Sequence, residues 1–146
     1  MDKLIKTANS STFTSFGLLL FRVVLGIVFI NHGSQKFFEW TLAGTAASFE
    51  QMGVPAPAMS AAVVASVELF GGILLILGLA TRIVAALQAG AMTGAMIMVH
   101  LPQGFSASNG GYEYVLVLAA GAALFIFTGA GKHSIDRFFV RKRLAA

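Results

Sequence analysis

Hydrophobic positions in this chain are gathered into four long blocks, residues 16–38, 57–79, 83–101 and 112–130, separated by short polar interruptions. Each block is close to the roughly 20 apolar residues that a helix needs to cross a bilayer. Only a turn containing Thr81 and Arg82 lies between the second and third blocks, so these two form a helical hairpin. The stretch GFSASNGG, residues 104–111, is rich in turn formers and divides the third block from the fourth. The pattern predicts an all-α integral membrane protein, a four-helix bundle in which residues 1–146 make a single domain. Two more helices are expected at the membrane surfaces. Residues 42–52 are weakly amphipathic. Beyond Ser134, a suitable N-cap, Ile135, Phe138 and Phe139 share one helical face while Arg137 and Arg141 share another. That is the pattern of a short interfacial helix.

Composition sharpens this picture. The chain is 57% hydrophobic and 11% charged, with mean hydropathy +0.82. Soluble domains carry about 25% charged residues, so the apolar surface here has to face lipid. Lys3 and Lys6 precede the first block, Arg82 sits in the hairpin turn, and Lys132, Arg137, Arg141, Lys142 and Arg143 follow the fourth block. The opposite side has Lys36 alone. The positive-inside rule therefore puts both termini in the cytoplasm, in agreement with an even number of spans, which requires both on one side. Trp40, Tyr112 and Tyr114 then fall in an outer aromatic belt. Arg22 inside the first block and three further spans argue against a cleaved signal peptide. The basic C-terminal cluster is expected to meet anionic lipid headgroups, not nucleic acid. There is no cysteine, which excludes disulfides, iron–sulfur ligation and thiol nucleophiles within the chain.

Helices in lipid associate through close packing and interhelical hydrogen bonds, so small residues mark their interfaces. The second block carries Ala61, Ala65, Glu68 and Gly72 along one stripe; the first carries Arg22, Gly26, Gly33 and Lys36 in a narrow arc. In the third, Gly90 and Gly94 have GxxxG spacing, with Ala86 one turn earlier and an Ala91/Ala95 ridge alongside. That motif suits either packing within the bundle or a homo-oligomer. Ionisable groups inside a bilayer normally face the interior and find partners. Arg22 and Glu68 both fall on inward faces at depths differing by roughly 8 Å, which predicts an intramembrane Arg22–Glu68 pair. Its competing reading is a register lock with no other role.

A second cluster is expected at the outer side. In INHGSQKFFEW, residues 30–40, His32 and Lys36 share a face one turn apart, and His100 and Glu113 reach a similar depth on two other helices. These four define a candidate polar pocket, able to bind a quinone carbonyl or relay a proton. The alternative is that Lys36 merely snorkels to water. GAGKHS, residues 129–134, lacks the first glycine of a phosphate loop and has His133 where Ser or Thr belongs, so it is not one. His32 and His100 alone do not make a haem site, and a metal site wants more ligands. No nucleophile–base signature is present, and no catalytic residue is assigned.

Taken in order, FRVVLGIVFINHGSQK, GVPAP, VELFGGILLILGLATR, GYEYVLVLAAG and GAGKHSIDR closely resemble the DoxX family of small membrane proteins, over about residues 18–137. The family's characteristic polar positions map onto Arg22, His32, Lys36, Glu68, Arg82, Glu113, Ser134 and Asp136, among others. The resemblance implies a four-helix membrane fold in the bacterial cytoplasmic (inner) membrane. The family takes its name from a membrane subunit of a thiosulfate:quinone oxidoreductase, and other members are described as membrane partners of redox or detoxification proteins. Three functions are therefore expected to compete. The first is a subunit of a quinone-linked membrane oxidoreductase. The second is a non-catalytic module that recruits a soluble or membrane redox partner, and the third is a small-solute transporter acting as an oligomer.

Overall fold

The structure, a computed structural model, describes residues 11–144. Lys3 and Lys6, which contribute to the expected orientation, lie outside them, as do the side chains of Arg141, Lys142 and Arg143. The described residues form helices and no strand. Helix α1 (Ser11–Ser34) passes into a π-helical turn (Gln35–Glu39), and α2 (Thr41–Gln51) follows. Helix α3 (Pro57–Leu77) and α4 (Thr81–Ala95) make the predicted hairpin. Helix α4 also runs into a π-helical turn (Met96–His100), then two short 3-10 turns lead to α5 (Glu113–Thr128) and finally α6 (Ile135–Leu144).

Among the described residues, three stretches are long and apolar enough to cross a membrane: Thr12–Glu39, Pro57–Leu77 and Thr81–Gln103. Helix α5 is also apolar but has 16 residues, about 24 Å of helix against a hydrocarbon core of about 30 Å. The expected fourth span is thus shorter than its hydrophobic block, because Gly129 ends it with a positive φ of 68°.

Helix α1 packs most extensively on α3, α4 packs on α5, and α2 lies across α3. Leu25, Phe29, Leu75, Val84, Met92, Leu118 and Phe125 fill the space between them. Small residues set how closely α1 and α3 approach. A methyl group at Gly26 would fall 2.8 Å from the Gly72 carbonyl oxygen, and one at Gly33 would collide with the backbone of Leu69. The two stripes read from the sequence therefore meet face to face. Gly33→Ala is expected to lower stability by about 1–3 kcal/mol, because backbone cannot give way as a side-chain tip can. Gly90→Ala should leave it unchanged or slightly raised, since a methyl there meets nothing within 4 Å. Thermal unfolding in detergent would compare the two.

That contrast corrects one expectation. Gly90 and Ala86 are exposed, and the face of α4 that enters the core carries Val84, Ala85, Gln88 and Met92 instead. The GxxxG face is not an interface among the described helices.

Candidate functional site

Because α1 and α3 run antiparallel, the register of their close contacts fixes which polar groups meet. Gly26 lies beside Gly72, Gly33 beside Leu69, and Arg22 beside Gly78. Glu68 is ten residues up α3 from the Arg22 level, about 15 Å. The expected Arg22–Glu68 pair does not form; that distance exceeds the reach of one side chain. Each group instead has its own partners, at opposite ends of the helix pair.

Arg22, 1% exposed, donates through its terminal nitrogens to the carbonyl oxygens of Ala130 (2.6 Å) and His133 (2.7 Å). It ties the segment after α5 to α1. Gly78 closes α3 at φ 67°, its N–H donating to Leu75 O and that of Leu79 to Leu74 O, the paired bonds of a Schellman ending. The bare glycine leaves room for both the guanidinium and Ser134, which a Cβ would strike. Asp136 completes this end. Its carboxylate accepts from the N–H groups of Ala80 (2.8 Å) and Thr81 (2.9 Å), where the positive end of the α4 dipole favours a negative charge. Ser134 caps α6 as expected, its Oγ accepting from Arg137 N at 3.2 Å. The motif GAGKHSIDR is therefore a clasp around the α3–α4 turn.

At the other end, Lys36 donates to Glu68 Oε2 at 2.6 Å. The carboxylate is buried and the lysine nearly so, with side-chain exposures of 3% and 12%. Lys36 therefore does not snorkel freely to water. His32 Nε2 lies 3.2 Å from the Tyr114 hydroxyl of α5. The ammonium also stands 6.0 Å from the centroid of Trp40, within range of a cation–π attraction. These groups share one cavity of about 470 Å³, a volume typical of small-molecule sites. Its remaining wall is almost entirely apolar, including Phe29, Phe49, Met52, Val64, Met92, Met98 and Leu118.

Of the four residues expected in an outer pocket, His32, Lys36 and His100 do line this cavity. The His100 Nδ1 is bound to Gly110 O at 2.7 Å, so that ring is held toward the loop. Glu113 is not in the wall. Its Oε1 accepts from Ala107 N at 2.6 Å, which turns the carboxylate back to pin the 104–111 loop at the start of α5. The sequence reading assigned Tyr114, one residue further on, to the outer aromatic belt and not to the pocket, although that residue lies one helical turn from Leu118 in the same wall. It also missed the π-helical turns, which carry Lys36 and His100 and follow no composition signal. Such turns often occur at functional sites, because the wider turn re-aims the side chains around it. No group of three or more metal-ligating residues occurs among the described residues.

Residues 17–101 of this chain match the DoxX family. The chain belongs to the DoxX family. It is 42% identical over 104 residues to a Bacillus subtilis protein named "Putative oxidoreductase CatD", covering 71% of this chain and 74% of that one. An uncharacterized protein of Haemophilus influenzae is 33% identical over 138 residues, 92% of this chain and 98% of its own. An uncharacterized membrane protein of Mycobacterium tuberculosis is 30% identical over 138 residues, 88% and 84%. No solved structure matches. This DoxX protein is accordingly a membrane protein, as its family and its apolar helices both require.

Proposed function

We propose that this DoxX protein is a subunit of a quinone-linked oxidoreductase system of the bacterial cytoplasmic membrane, and that the Lys36 cavity receives a quinone head group. In this reading α5 completes a four-helix membrane bundle with both termini cytoplasmic, so the cavity opens toward the outer leaflet. One observation carries the proposal: a largely apolar cavity of about 470 Å³ holds Lys36, paired with Glu68, and His32, in contact with Tyr114, in its wall. The donor set fits the ligand. Quinone carbonyls can only accept hydrogen bonds, and Lys36 offers N–H groups while His32 and Tyr114 offer N–H or O–H. Trp40, Phe29 and Phe49 give a flat ring apolar surfaces to rest against.

A bound quinone would supply the capacity to take up two electrons, which a cysteine-free chain lacks. The protein's own part is to hold the ring, exclude water and keep protons at hand. The Lys36 ammonium and Glu68 carboxylate hold one proton between them beside the cavity, and His32 can hold a second. The name of the Bacillus subtilis relative is consistent with this role.

The single tryptophan, Trp40, lines the cavity and reports on it. Titrating purified protein with a benzoquinone is expected to give saturable quenching of its fluorescence. Tyr114→Phe removes one neutral hydrogen-bonding group and should weaken binding by about 2–10-fold. Quenching that never saturates, or that ignores the Tyr114 hydroxyl, counts against the proposal. A second reading is supported by the clasp at the other end. Helix α6 is fixed in place by Arg22, Ser134 and Asp136, with Arg137, Phe138 and Phe139 exposed, and could present a membrane-surface platform to a redox partner.

A further inference from the structure

Helices α3 and α4 leave their shared turn in contact and then separate. Near the turn Gly71 lies against α4, where a methyl group would fall 3.1 Å from Gln88 Nε2 and 3.4 Å from Val84 Cγ1. One turn further on the gap opens into the cavity. Helix α3 presents Val64 and Glu68 there, and α4 presents Ala91 and Gly94, with Met98 in the π-helical turn beyond. Gly94 borders this space so loosely that a methyl group on it meets nothing within 4 Å. Met98 at the rim is 40% exposed. On a protein whose α3 and α4 both qualify as membrane spans, this side faces acyl chains.

The cavity thus has a polar end and an apolar mouth. His32, Lys36, Glu68 and Tyr114 come from α1, the π-helical turn after it, α3 and α5. The α4 side of the opening is Ala91, Gly94 and, in the turn that follows, Met98, with the His100 ring held toward the 104–111 loop. A water-soluble solute gains nothing at such a mouth. A ligand with a polar head and a long hydrocarbon tail fits both parts at once. About 470 Å³ holds a substituted ring and the start of a tail, so a chain of many isoprene units has to leave through the opening.

We propose that the gap between α3 and α4 at Gly94 is a lateral portal, through which the tail of a lipid-soluble quinone passes from the cavity into the bilayer. The portal rests on the quinone reading above and adds the class of quinone and its route. Gly94 is then a specificity-determining position, its missing side chain leaving the tail its path.

The test compares two probes on purified full-length protein, both followed by Trp40 fluorescence: a decyl-substituted dimethoxy-methyl-benzoquinone and the same ring without a tail. Gly94→Phe is expected to weaken binding of the decyl compound by about tenfold or more and to leave the tailless ring within about twofold. Gly94→Ala should bind both like the wild type. An equal loss of both probes, or no loss of the decyl compound, overturns the portal. So does loss of the decyl compound together with a change in oligomeric mass, which assigns this face to a second copy of the chain. If neither probe quenches the wild type saturably, the quinone reading itself fails and the portal falls with it. Unchanged binding of the tailless ring also certifies that Gly94→Phe has folded.

Discussion

Replacing Lys36 with methionine is expected to destabilise the protein by about 3–5 kcal/mol, because it strands the Glu68 carboxylate in a buried site without its counter-charge. The second change, Glu68→Leu on top of Lys36→Met, should recover most of that loss. A buried ion pair replaced by apolar groups of similar volume is often no less stable than the original. Unfolding of purified protein in detergent, followed by Trp40 fluorescence, would measure all three variants with the wild type. Failure of the double variant to recover would mean that the two groups do not depend on each other. The cycle has a functional companion, since a double variant that folds well but binds no quinone would separate the pair's structural role from its role in the cavity.

Arg22→Met is expected to cost a similar amount by a different route. Two hydrogen bonds from a charged donor, each worth about 1.5–3 kcal/mol, are lost, and the carbonyls of Ala130 and His133 lose their partner. The effect should be local. Hydrogen exchange is expected to rise across residues 130–139 while the α1–α3 contact around Gly33 stays protected. Adding Glu68→Leu to Arg22→Met should give no rescue. Rescue there would restore the pairing that the helix register excludes.

These two predictions also mark where sequence reasoning succeeds and where it stops. Hydrophobic blocks found the helices because lipid exposure leaves a composition signal across a whole segment. The small-residue stripes on α1 and α3 found their mutual interface, since only glycine permits backbone contact of the kind seen at Gly33. Pairing of the charges was a different matter. It depends on antiparallel register to within a turn, and span ends read from hydropathy move by several residues: α1 begins at Ser11, well before the block at 16. The two span ends were set at the same level, whereas α1 runs past the end of α3: Arg22, eleven residues beyond Ser11, lies beside Gly78. Lys36, the real partner, was already in view, but its depth grouped it with His32, His100 and Glu113 at the outer side and not with Glu68.

Of the two readings of the GxxxG face, packing within the bundle fails for a related reason. Small residues on a helix allow close packing without saying against what, and α4 turns Val84, Gln88 and Met92 inward instead. Gln88 had a signal of its own, an amide spaced one turn from both of those apolar residues. It is fully buried, and neither its oxygen nor its nitrogen has a hydrogen-bond partner. Glu113 was placed at the right depth and given the wrong neighbour, because the folding back of the 104–111 loop leaves no periodic trace in the sequence.

Photolabelling with an azido-substituted benzoquinone tests the central claim most directly. The account predicts covalent label on residues of the Lys36 cavity, in peptides containing Trp40, Met52 or Met98, and its displacement by excess unlabelled quinone. Label scattered over the lipid-facing surface of the helices, undiminished by the competitor, would contradict it.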